Sequence, residues 1–142
     1  MDKSMNKPIK ISINIKWHHK MRRYIWKFDG HNVHPETGNF QLPGPGKTPI
    51  IYTLDEECTD KYQLIYVNLD PETCATYEIE QVQTDKKKNS ITIIDRNSFN
   101  YTRYTPFCLR LVARMKDNIG SGFLSPDPQV TNNPNSQNQP PK

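Results

Sequence analysis

Cysteine is scarce: Cys58, Cys74 and Cys108 are the only three in 142 residues, and none falls in a Cys-x-x-Cys or other metal-ligand spacing. Any disulfide would leave one thiol over, so a reducing compartment is the simpler expectation. Long apolar runs are missing as well. Nothing approaches the roughly eighteen apolar residues of a spanning helix, so no membrane span is expected. The first seventeen residues contain lysines but no apolar run of about seven, so they do not resemble a secretory signal. The expected location is the cytoplasm. Hydrophobic residues make up 34% of the chain, few for a globular protein, and part of the shortfall lies in polar ends. Phosphate loops of the Gly-Lys-Ser/Thr kind, a Gly-x-Ser-x-Gly elbow and a dinucleotide fingerprint are all absent. With no catalytic set legible, the expectation is a non-enzymatic protein with no cofactor and no metal.

No segment carries a helical stripe either. What the chain has instead is alternation. Residues 106–116 place Phe107, Leu109, Leu111, Ala113 and Met115 on one side and Cys108, Arg110, Val112, Arg114 and Lys116 on the other, the period of a half-buried strand. Five inward side chains at about 1.5–3 kcal/mol each make this a core element. Asp117-Asn118-Ile119-Gly120 then reads as the turn that returns Gly122-Phe123-Leu124 beside it. At the other end Ile9, Ile11, Ile13, Ile15 and Trp17 alternate with Lys10, Ser12, Asn14, Lys16 and His18, and Tyr24, Trp26 and Phe28 continue the pattern after His18-His19-Lys20-Met21. That is a hairpin, although no Asn-Gly or Asp-Gly marks its turn.

Further strands are expected over residues 39–42, 49–54, 62–69, 76–83 and 90–95, separated by Gly, Pro and Asn. The polar loop 84–89 is longer than a tight hairpin needs. The expected fold is therefore all-β: an antiparallel immunoglobulin-like β-sandwich of about seven to nine strands. One domain suffices at this length. It should span residues 9–130, after a flexible N-terminus (1–8) and before a disordered Asn/Gln/Pro-rich tail (131–142).

Two stretches resemble a known family. Ile51-Tyr52-Thr53-Leu54 follows a Pro/Gly-rich lead-in, and Leu124-Ser125-Pro126-Asp127-Pro128-Gln129-Val130 is followed by Asn132 and Pro134. From Ile50 onward these features resemble the DP-EP family of small bacterial proteins. The resemblance implies an immunoglobulin-like β-sandwich and brings no activity, substrate or cofactor. The basic-aromatic hairpin and the Lys86-Lys87-Lys88 loop stand apart from it. Two prolines bracket Asp127, fixing φ twice and removing two donors, so the chain is expected to leave the sheet there. Ser125, Pro126, Asp127, Pro128, Asn132 and Pro134 thus carry a structural expectation.

The charge is unevenly spread. Residues 1–27 carry eight Lys and Arg against Asp2 alone, while the whole chain stands at +4, so the remainder is net acidic. Head and body can attract each other, within a molecule or between two. The leading expectation for partners is self-association or another protein, through sheet edges or a flat outer face. The alternative is nucleic acid on a patch of Lys16, Lys20, Arg22, Arg23 and Lys27, with Lys86, Lys87 and Lys88 added, because phosphates pair with cations and bases stack on interleaved rings. Against it, Trp17, Tyr24 and Trp26 fall on the apolar positions. Their expected burial removes the stacking platform.

His18, His19, His31 and His34 are close in sequence, but the hairpin separates its tip from the far end of the second strand by about 20 Å at roughly 3.3 Å per residue. Asp55, Glu56, Glu57 and Asp60 lack the spacing of a calcium loop and read as solvated. Cys58, set among these acids, is expected to be a blunted nucleophile.

Overall fold

Regular alternation becomes strand throughout. A computed structural model describes residues 5–42, 44–69, 78–97, 106–117, 122–126 and 129–131. They contain ten strands and no helix: β1 (Ile9–His18), β2 (Arg23–Asp29), β3 (Phe40–Gln41), β4 (Thr48–Leu54), β5 (Tyr62–Leu69), β6 (Ile79–Asp85), β7 (Ser90–Asp95), β8 (Pro106–Met115), β9 (Gly122–Leu124) and β10 (Gln129–Thr131). One sheet runs β2-β1-β4-β7-β6. The other runs β3-β10-β8-β5, with β9 paired to β8.

The all-β reading stands, with two corrections. The sheets are mixed: β1 lies parallel to β4, with Ile11 opposite Tyr52, and β10 lies parallel to β3, with Val130 opposite Phe40. Alternation places a side chain in or out but carries no direction, and residues 19–47 give the chain the crossover that a parallel pair needs. The second correction is β10, one strand more than the upper expected number. Pro126 does end β9, but three residues on the chain re-enters the sheet against β8 and β3.

Both sheets contribute to one apolar core. Ile11, Ile13 and Ile15 of β1, Ile50, Tyr52 and Leu54 of β4 and Ile91 and Ile93 of β7 share it with Leu64 and Val67 of β5 and Leu109, Leu111 and Ala113 of β8. At about 1.5–3 kcal/mol for each large aliphatic side chain, this burial is the main force holding the sheets together.

Loops lock the strands in place. The segment between β2 and β3 folds back so that the Phe28 N–H donates to the Pro35 carbonyl at 2.8 Å, which covers part of the β2 edge. Gly38 makes this possible: its φ is +78°, and a Cβ there would lie 3.1 Å from the Phe28 ring. Gly38→Ala should lower the unfolding free energy by about 1–3 kcal/mol in a urea titration, because it adds both left-handed strain and a clash. An unchanged midpoint would show that the turn relaxes instead. At the N-terminal side, Met5 bridges Lys47, and the Asn6 side chain donates to Pro45 O and Thr48 Oγ1 at 3.0 Å each.

Candidate functional site

The β1–β2 hairpin gathers the candidate cations, and its register decides where each one goes. Trp17 stands opposite Tyr24, Lys16 opposite Ile25 and Asn14 opposite Lys27. Asn14, Lys16 and His18 of β1 therefore share the outer face with Arg23, Ile25 and Lys27 of β2. Lys16 and Lys27 are diagonal neighbours there, about 7–8 Å apart across the ladder. Lys20 and Arg22 occupy the connection, which closes with the Met21 N–H donating to His18 Nδ1 at 3.1 Å and with Arg22 at φ +52°. All five predicted cations are thus on one hairpin, Lys16, Arg23 and Lys27 on its outer face and Lys20 and Arg22 at its tip. All five are exposed, and none pairs with a carboxylate among the described residues.

Trp17 corrects the expectation that removed a stacking platform. Trp26 is buried at 3% exposure, but Trp17 is 43% exposed. Alternation sets the side of the sheet but not how far the opposite sheet reaches, and at the level of Trp17 the core has already ended. A chain of rings fixes the indole all the same. It meets Tyr24 edge-on at 5.0 Å, and Tyr24 stacks on Phe123 at 3.8 Å and meets Tyr62 at 5.8 Å. A groove of about 620 Å³ lies on the outer face of the hairpin, lined by Asn14, Lys16, His18, Ile25 and Lys27, with Trp17 at its margin.

A second groove, of about 430 Å³, also has Trp17 in its wall, together with Asn14, His19, Glu57, Cys58 and Tyr62. The acidic loop docks here rather than standing free. Asn14 Nδ2 donates to Asp55 Oδ2 at 2.8 Å and Glu57 Oε2 at 3.1 Å, and the Asp55 N–H donates to Ile13 O. Head and body do meet, through an amide instead of ion pairs. Cys58 Sγ lies 3.2 Å from the Ile15 N–H, and burial, more than the nearby Asp55 and Glu57, pushes its thiol up to about 11. Its contacts with Ile15 anchor β1, and the raised pKa blunts the thiol as a nucleophile.

Lys86, Lys87 and Lys88 border a third groove, with Ile51, Ser90 and Thr92. They belong to the β6–β7 turn at the opposite edge of the same sheet, so the structure does not join them to the hairpin cluster. Asp85 Oδ1 caps this turn by accepting from the Lys87 and Lys88 N–H groups. Two histidines have backbone duties: His18 Nδ1 serves Met21, and His34 Nδ1 accepts from Glu36 and Thr37 N–H at 3.2 Å. Among the described residues no three of His, Cys, Asp and Glu gather as a metal set.

The closing motif acts through a residue whose role the prolines overshadowed. Ser125 is buried, its Oγ accepts from the Leu111 N–H at 2.8 Å, and its own N–H donates to Leu111 O at 2.8 Å. It continues the β8–β9 ladder one step past the end of β9. Asp127, Pro128, Asn132 and Pro134 lie outside the described residues, as do Cys74, most of the turn before β9 and the polar tail. No helix among the described residues is long and apolar enough to cross a membrane.

No curated protein matches the chain in sequence. Among solved structures, the inclusion body protein PixA of Burkholderia cenocepacia is similar to 88% of this chain and 92% of its own, at 6% identity and a TM-score of 0.41. The DP-EP family matches residues 7–134, starting well before Ile50 and so taking in the basic hairpin and the Lys86–Lys88 turn; the chain belongs to the DP-EP family.

Proposed function

We propose that the protein is a non-enzymatic binding module that meets an anionic partner on the face and tip of its β1–β2 hairpin. The observation that carries this is the gathering of Lys16, Lys20, Arg22, Arg23 and Lys27 on one hairpin, none of them ion-paired with a described carboxylate. Exposed like charges on adjacent strands are mildly destabilising by themselves, so such a cluster fits a surface that an external anion neutralises.

Self-association by edge pairing fits the fold less well, because the edges that β2, β6, β3 and β5 present are guarded. β2 presents Arg23 and Lys27 and is covered at Phe28, β6 is irregular between Ile79 and Gln81, and β3 has two residues. β5 is bulged between Leu64 and Tyr66, and the Asn89 side chain occupies its outer backbone groups at Tyr62 and Leu64. Bulges, charges and short edges are how sheets resist edge pairing. Two sheets around one core support the finer reading of an immunoglobulin-like sandwich, with the parallel pairs as its departure. A cytoplasmic setting belongs to the same reading, with Cys58 kept as a buried thiol.

Linear polyphosphate tests the proposal. It should bind at low ionic strength and release steeply as salt rises, and Arg22→Glu with Arg23→Glu should reduce the slope of log affinity against log salt by about 1–2. No salt-sensitive binding would end the proposal. Light scattering over a range of concentrations should find a monomer, and a growing assembly would move the weight to self-association.

A further inference from the structure

We infer that the free edge of β9 takes up an extended segment of another protein, apolar with one acidic residue, which adds to the second sheet as a further strand. The hairpin cluster belongs to the first sheet, so this inference goes beyond the anionic-partner reading and stands apart from it.

The register fixes which way the β9 edge points. The Ser125 N–H donates to Leu111 O at 2.8 Å, and Phe123 stands opposite Ala113. Hydrogen-bonded pairs alternate with open ones in an antiparallel ladder, so Gly122 and Leu124 turn their N–H and C=O groups away from β8. Nothing among the described residues meets them there: β9 pairs with β8 alone, and both residues are exposed. Outward N–H and C=O groups at every second residue are the template on which a partner strand forms. Shortness is the only guard this edge has. Gly122, Phe123 and Leu124 carry no charge and no bulge, whereas β2 has its cations and β5 and β6 their irregularities.

The side chains around the edge define the occupant. On the outer face Leu124 stands opposite Val112 and Val112 opposite Tyr66, so an apolar row crosses three strands, with Leu124 48% and Tyr66 58% exposed at its ends. Gly122 stands opposite Arg114 and puts no side chain between that arginine and the edge. Arg114 donates to Gln63 Oε1 at 3.1 Å and has no carboxylate partner among the described residues. On the inner face Phe123 stacks on Tyr24 at 3.8 Å and meets Trp26 at 5.9 Å, so the β2 edge of the first sheet lies over β9. The buried Trp26 indole N–H has no acceptor among the described residues. An added strand alternates its side chains. It is apolar beside Leu124, where it extends the row, acidic beside Gly122, where it reaches Arg114, and apolar between them, toward Phe123 and Trp26. Charge selects this occupant over a second copy of the chain. A copy pairing through its own β9 would offer only Gly122, Phe123 and Leu124, and each Arg114 would still lack a carboxylate.

The probe is the end-blocked peptide Ser-Thr-Val-Val-Glu-Thr-Ser, added to the full-length protein at about 0.15 M salt, where exposed charges more than about 8 Å apart are screened. With the peptide at about ten times the Kd read from its NMR shift titration, the Gly122 and Leu124 amides should exchange their hydrogens about tenfold more slowly. No protection at about 1 mM peptide would overturn the inference. The same peptide N-methylated at alternate residues lacks the donors and should give no protection, and equal binding by it would overturn edge pairing. Replacing the peptide's glutamate with lysine should weaken binding by about twofold to fivefold, and Arg114→Gln should erase that difference. Equal affinity for the two peptides would overturn the choice of an acidic partner. Protection of the same two amides on raising the protein concentration alone would overturn the inference in favour of a second copy. Polyphosphate binding without peptide protection overturns the strand inference and leaves the hairpin reading standing, and the reverse result does the opposite.

Discussion

Asn89→Ala should destabilise the protein by about 3–5 kcal/mol, far more than an ordinary turn substitution. Asn89 lies in the β6–β7 turn of one sheet, yet its side chain completes the other. Oδ1 accepts the Leu64 N–H at 2.8 Å and Nδ2 donates to Tyr62 O at 3.0 Å. Removing the amide strands a buried N–H and a buried C=O, at about 1–3 kcal/mol for each. The backbone adds to the loss, because Asn89 has φ +52°, a conformation that costs alanine about another kcal/mol. Asn89→Gly keeps the turn and loses only the hydrogen bonds, so it should fall between wild type and alanine in the same urea titration. Equal losses for the two variants would assign the whole effect to the amide, and a loss below about 1 kcal/mol for alanine would show that water replaces it.

The second large effect depends on pH. Asp95 is fully buried in β7, its Oδ1 accepts the Asn97 N–H at 2.9 Å, and its Oδ2 meets no donor among the described residues. Burial pushes its carboxyl up to about 7, helped by the charge of Glu78 and opposed by the Asn97 N–H. The folded chain therefore holds this proton more tightly than the unfolded chain, whose aspartates titrate near 3.9. This contribution is fully present below about pH 4, is lost as pH rises toward 7, and stays lost above that. Integrated over the interval, the loss is on the order of 4 kcal/mol. Asp95→Asn keeps the acceptor for Asn97 and cannot ionise. It should melt close to wild type near pH 4 and clearly higher at pH 8, with the gap opening between. Parallel wild-type and variant profiles would show that Asp95 ionises freely in the fold.

These two residues show where the sequence runs out. The strands were legible because alternation is a direct imprint of a two-sided sheet, and Ile9–Trp17 and Leu109–Ala113 fall where the pattern puts them. Strand direction was not, because a parallel neighbour leaves the same in-out pattern as an antiparallel one. Asn89 gave no local signal, since its partners Tyr62 and Leu64 are more than twenty residues away and polar turns are common. β10 was hidden because three residues are too few to show a period, and two prolines before them announced an ending. At the candidate site the cations were readable one by one, and the hairpin brought all five together. Trp17 was assigned to the wrong side of the core boundary, since periodicity cannot measure how far the facing sheet extends. Only the loop lysines 86–88, grouped by charge alone, turned out to belong to another edge.

The parallel contact between β10 and β3 also constrains the order of events during synthesis. Residues 40–41 emerge early and stay unpartnered on that flank until residue 131 has left the ribosome, and β1 likewise must wait for β4. Loops this long make the closing contacts entropically slow. A nascent chain halted before residue 129 would leave β3 and the first residues of β8 without their β10 partner, bare backbone on the second sheet that a chaperone could shield.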